Sequence, residues 1–85
     1  MPKKKKRKIK VIYKKLAREK VWGLAYIDPD CVVIESRLKG KRLLKLLCHE
    51  ISHIALPDCS EKQILKLEQL LGETLWEQNY RKVDQ

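Results

Sequence analysis

The chain has no apolar run approaching the roughly 20 residues of a helical membrane span, and its basic start is not followed by the apolar core of a signal peptide. A soluble protein of the cytoplasm, without a membrane partner, is the expectation. Glycine and proline are scarce, at 3 each, while hydrophobic residues make up 44%; this excludes a disordered or linker-rich chain and places the sequence among globular domains. Cys31, Cys48 and Cys59 are odd in number and lack CxxC spacing, which argues against a zinc ribbon, a dithiol redox motif or a disulfide framework. They read as reduced thiols packed as small apolar side chains. No internal repeat or interdomain linker is visible. At 85 residues there is room for one domain with a modest core, since so short a chain buries only about 60% of its unfolded surface. A bound metal would help such a fold hold together.

Acidic residues are almost missing from the start of the chain. The first twenty residues hold eleven of the 20 Lys and Arg but one of the 11 acids, Glu19, which leaves nine bases against ten acids in the remainder. The net charge of +9 therefore sits in the N-terminal segment. Residues 1–8 are expected to form a flexible basic arm, 9–81 the folded domain and 82–85 a tail. Pro2-Lys3-Lys4-Lys5-Lys6-Arg7-Lys8 is a string of phosphate-seeking charges that resembles a nuclear-import signal; nucleic-acid contact and a merely solvated tail are the two main readings of it.

After the arm, Ile9-Lys10-Val11-Ile12-Tyr13 has the β-branched and aromatic content of a strand, with lysines that suit a protected edge. Val21–Ile27 and Cys31–Glu35 are two further strand-like runs separated by Asp28-Pro29-Asp30, the pattern of a hairpin. Gly40 breaks the pattern. From Lys41 to about Leu56 apolar residues recur at helical spacing until Pro57 closes the segment. Leu43, Leu44, Leu47, Cys48, Ile51, Ile54 and Ala55 share one face of that helix, and His49 and His53 point roughly the opposite way. Ser60 with Gln63 three residues later forms a capping-box signature, opening a second helix with the stripe Ile64, Leu67, Leu71, Leu75 and an end near Tyr80. The predicted fold is α+β: a three-stranded, mainly antiparallel sheet followed by two helices.

On the first helix lies His49-Glu50-Ile51-Ser52-His53, an HExxH motif. Residues at i and i+4 stand one turn apart on one face, so both imidazoles can reach a single tetrahedral Zn²⁺ at about 2.0–2.1 Å. Glu50 stands beside them, placed to take a proton from a water rather than to bind the metal, and later to return it to a leaving amine. The ordinary alternative is a pair of surface or core histidines with no ligand. A catalytic site needs a third protein ligand, and the two motif histidines are the 2 in the chain. Residue order alone leaves Asp58, Cys59, Glu61 and Glu68 open, with Glu61 and Glu68 about equal. The ordinary reading of either glutamate is a helix-surface acid, and of Glu61 a favourable charge at a helix N-terminus.

From Trp22 to Arg81 the chain resembles the minimal zincin-like metallopeptidases of phage and microbial genomes, small relatives of the gluzincin and SprT-like groups. The residues that carry this are Gly23-Leu24 and Asp28, then Leu47 to His53, then Pro57-Asp58-Cys59-Ser60-Glu61, and Leu75-Trp76 with Tyr80-Arg81. The resemblance implies a zinc-dependent peptidase acting on a peptide or protein, with Glu50 as general base and His49, His53 and Glu61 as metal ligands. The spacing departs from the gluzincin pattern, since Glu61 follows His53 by only eight residues. It also implies that the strand before the motif helix, Cys31–Glu35, walls the cleft and takes an extended substrate by strand addition. SprT-like relatives include proteases acting on DNA-bound proteins, which would give the basic arm a use. The competing expectation is a nucleic-acid-binding or regulatory module with a structural zinc, favoured by Arg37, Lys39, Lys41, Arg42 and Lys45 just before the histidines. Trp22 and Trp76 are expected to serve packing.

Overall fold

The computed structural model describes residues 7–16 and 20–83. The first six residues of the expected basic arm and the last two of the expected tail lie outside this range. Three strands, β1 (Lys10–Lys14), β2 (Gly23–Tyr26) and β3 (Cys31–Glu35), precede two helices, α1 (Gly40–Ala55) and α2 (Glu61–Glu77). Among the described residues no helix is long and apolar enough to cross a membrane.

The sheet has the order β1-β3-β2. Val32, Val33 and Ile34 are all buried, and an unbroken β-branched run of this kind belongs to a central strand rather than to an edge. The β2–β3 hairpin forms as expected, antiparallel from Gly23 opposite Ile34 to Tyr26 opposite Cys31. The expectation of a mainly antiparallel sheet needs correction. β1 runs parallel to β3, with Lys10 opposite Cys31 and Lys14 opposite Glu35, so the sheet is mixed. Lys14 at the end of β1 and Gly23 at the start of β2 both lie at the Glu35 end of β3, on its two sides, so β1 and β2 do not pair as a hairpin. The end of β1 is fastened to β3 by buried Leu16, whose N–H donates to Glu35 Oε1 at 2.9 Å, and by Ser36 N–H donating to Lys14 O at 3.0 Å.

The second correction follows from that order. Cys31–Glu35 has a neighbour on each edge and has no backbone edge left for strand addition. Among the described residues, the unpaired edge beside α1 belongs to β2.

α1 lies across the sheet, with Leu43 and Ile54 joined to Val32 and Ile34 in the core and Leu46, Leu47 and Ile51 packed against them. Ala55, expected on that face, is exposed in the last turn. Ser60 caps α2 as expected, accepting from Gln63 N–H at 3.2 Å while Gln63 Oε1 accepts from Ser60 N–H at 2.8 Å. The expected stripe of α2 packs in large part, with Ile64 buried and Leu67 and Leu75 half-buried, but Leu71 is 43% exposed and Gly72 beside it is buried. A Cβ on Gly72 would stand 2.4 Å from Lys45 Cγ, so the absent side chain makes room for the close approach of α1 at this point. Lys45 also donates to Gln69 Oε1 at 2.9 Å and Glu73 Oε2 at 3.2 Å. Arg7 pairs with Asp30 of the hairpin turn and donates to the carbonyl of Ile54 at 3.3 Å, a favourable cation at the end of α1.

Candidate metal centre

α1 and α2 are joined by only five residues, 56–60, so Glu61 in the first turn of α2 returns directly past the last two turns of α1. His49 Nε2 lies 2.8 Å from Glu61 Oε1, His53 Nε2 lies 3.2 Å from the same oxygen, and the two Nε2 atoms are 3.1 Å apart. Four ligands at 2.0–2.1 Å in a tetrahedron stand about 3.3 Å from each other, so the triangle is a few tenths of an ångström tighter than a zinc site and already of its shape. These three residues form the group that could hold a metal ion among the described residues. Asp58 and Cys59, the other sequence candidates, lie outside that group; the Cys59 N–H closes the interhelical loop on Leu56 O at 3.1 Å.

Glu68 has a different place. Its Oε1 lies 2.8 Å from Nδ1 of His49, on the far side of the ring from Glu61. A neutral His49 that donates Nδ1–H to Glu68 keeps its Nε2 lone pair turned toward His53 and Glu61, the arrangement in which an outer carboxylate fixes a metal-binding imidazole. Residue order made Glu68 and Glu61 alternatives for one role; the helix pair puts them on opposite nitrogens of one ring.

The donor set, two imidazole nitrogens and one carboxylate oxygen with further carboxylates nearby, fits zinc chemically. A tetrahedral cation would satisfy all three converging lone pairs together, whereas a proton on His49 Nε2 points along one direction only. Comparison with family models, curated proteins and solved structures finds no match.

Glu50 is 8% exposed and lies against β2. A Cβ on Gly23 would come within 3.0 Å of Glu50 Oε2, 3.1 Å of its Cγ and 3.2 Å of Leu46 Cδ2, so a bare backbone at the start of β2 makes room for the carboxylate. Burial raises the Glu50 pKa above the ordinary carboxylate range; the neighbouring His49 and His53 oppose the rise, and Glu61 and Glu68 add to it. Gly23 was visible in the sequence only as part of a resemblance. Its steric reason depends on which strand borders α1.

Beside this cluster an open cleft of about 260 Å³ is lined by Trp22, Leu38, Arg42, Lys45, Leu46 and Glu68. Sequence reasoning missed it, treating Trp22 as packing and Arg42 as one member of a charge run. Trp22 is 49% exposed, and the Arg42 guanidinium stands over its ring at 5.6 Å.

Proposed function

We propose that this protein is a zinc-dependent peptidase of the zincin kind, using His49, His53 and Glu61 to hold the metal and Glu50 as general base. The observation that carries this reading is the convergence of His49 Nε2, His53 Nε2 and Glu61 Oε1, with distances of 2.8 to 3.2 Å, beside a buried carboxylate. A zinc ion bound there would supply Lewis acidity toward a water and a substrate carbonyl. Glu50, buried and with its proton affinity raised, takes the proton of the attacking water and returns it to the departing amine. Glu68 holds His49 in one ring orientation. β2 offers its free backbone edge to an extended peptide, with Gly23 bringing that edge alongside Glu50. Free thiols at Cys31, Cys48 and Cys59 support a reducing, cytoplasmic setting.

The competing reading is a nucleic-acid-binding module with a structural zinc. The cation run before the histidines supports it less than its sequence implies, because Arg37 is spent on Glu35 and both Lys41 and Lys45 on Glu73. Three of its five cations are thus engaged within the fold, on the two carboxylates Glu35 and Glu73. A contribution from the Lys-rich start would fit either reading, placing a peptidase near nucleic acid.

The separating experiment is zinc titration of the purified protein, followed by peptide hydrolysis by wild type and Glu50→Gln. A peptidase binds one zinc per chain in both forms and loses turnover in the variant. Equal turnover in both forms, or no stoichiometric zinc in wild type, would overturn the reading.

A further inference from the structure

The cleft beside the cluster is built for a particular kind of side chain. Its lining combines the apolar Leu38, Leu46 and Trp22 with the cations Arg42 and Lys45 and the single acid Glu68. Those charges differ in availability. Lys45 already donates to Gln69 and Glu73, and Glu68 is engaged by His49. Arg42 is exposed and makes no ion pair among the described residues, with only the Trp22 ring beneath it. An aliphatic stem ending in an anion would find apolar wall along its length and an uncommitted guanidinium at its end.

The cleft also lies where a substrate would need it. Leu46 lines it, and Leu46 Cδ2 and Glu50 Oε2 meet around one point, the position a Gly23 Cβ would occupy, at 3.2 and 3.0 Å. Glu68 lines it too, and touches the metal-binding ring of His49. Trp22 directly precedes β2, so a peptide laid along the β2 edge with its carbonyl at the cluster would send a neighbouring side chain into this space. We propose that the cleft is a specificity pocket for an acidic substrate residue, glutamate above all, next to the bond cleaved, with Arg42 as the residue that selects it. This rests on the peptidase reading for its place in a reaction, but as a binding site it is testable without turnover.

The probes are four fluorescently labelled, strand-forming heptapeptides that differ only in a central Glu, Gln, Leu or Lys, bound to the full-length Glu50→Gln protein with and without zinc. The Glu peptide is expected to bind roughly fivefold more tightly than the Gln peptide and roughly tenfold more tightly than the Lys peptide, with the preference shrinking as salt is raised. Arg42→Gln should flatten the series and Arg42→Glu should reverse it, both variants keeping the circular dichroism and zinc stoichiometry of the parent. A Glu preference that survives Arg42→Glu would mean the carboxylate binds elsewhere, for instance on the metal, and would overturn the proposal. So would equal binding of all four peptides, no measurable binding of any, or equal peptide binding alongside a short single-stranded oligonucleotide that binds the parent and not Arg42→Glu. The two readings fail separately. An Arg42-dependent Glu preference without zinc binding leaves the pocket and removes the peptidase, and zinc-dependent hydrolysis without that preference does the reverse.

Discussion

Two glutamates are almost fully buried in this small domain, Glu35 at 1% exposure and Glu50 at 8%, and their surroundings are opposite. Glu35, at the end of β3, accepts from the N–H groups of Leu16 and Arg37, each at 2.9 Å, and from the Arg37 side chain at 3.1 and 3.2 Å. Those donors, the Arg37 guanidinium first, hold its pKa down to about 2. Glu50 accepts no hydrogen bond from another described residue, its oxygens keep contact with solvent, and burial of the side chain moves its pKa upward. A carboxylate surrounded by donors is committed to holding a loop in place. One left without donors, beside two imidazoles, retains the capacity to exchange a proton.

Substituting each in turn is the most direct way to break this comparison. Glu50→Gln should lower the rate of peptide hydrolysis by roughly 10²- to 10⁴-fold, measured with zinc saturating, while the melting temperature changes little because the isosteric amide breaks no hydrogen bond among the described residues. Retained turnover would deny Glu50 its role. The next largest effect is expected at Glu68. Glu68→Gln should weaken zinc binding roughly 10- to 100-fold, read by competition with a chromophoric chelator, whereas Glu61→Ala should remove a ligand outright. If Glu68→Gln bound zinc like wild type, the contact with His49 Nδ1 would be incidental.

Glu35 supplies the structural half. Its folded pKa is about 2 against an ordinary 4.5, so the folded state binds fewer protons than the unfolded state between those values. Stability is then fully present above about pH 4.5 and is lost as pH falls toward 2. Asp30 and Glu73, lowered by Arg7 and by Lys41 with Lys45, act in the same direction. Glu35→Gln should lower the denaturation midpoint at neutral pH and flatten the acid limb of a stability-against-pH curve, without changing zinc affinity. An unaltered acid limb would mean that the hydrogen bonds around Glu35 persist in the unfolded chain or contribute nothing.

The comparison also marks what residue order could and could not reveal. Helical periodicity, the capping box at Ser60 and the HExxH spacing are local, set by residues within a turn or two of each other, and the two helices and the pairing of His49 with His53 were legible for that reason. The parallel β1–β3 pair was not, because it rests on contacts between residues far apart in the chain, such as the hydrogen bond between Leu16 and Glu35, nineteen residues apart. The same non-local step moved the free edge from β3 to β2. Likewise no periodicity distinguishes Glu61 from Glu68. Both lie on one face of α2, and only the packing of α2 against α1 decides which nitrogen of His49 each one meets.

Gly23 provides the finest test, since it concerns space rather than charge. In β2 its backbone is extended, so alanine is permitted there conformationally, and the fold should survive Gly23→Ala with little change in melting temperature. The new methyl would meet Glu50 Oε2 at 3.0 Å and Leu46 Cδ2 at 3.2 Å, both flexible ends that can shift by a few tenths of an ångström. Displacing Glu50 by that amount affects a proton transfer that depends on hydrogen-bond reach. The expected result is a loss of several-fold in kcat, roughly threefold to tenfold, with zinc affinity unchanged because His49, His53 and Glu61 are untouched. Unchanged kcat would show that Glu50 tolerates displacement and that Gly23 serves only the strand. A collapse of zinc binding would show instead that β2 supports the whole cluster, and the division between a committed and an available carboxylate would have to be redrawn at the sheet rather than at Glu50.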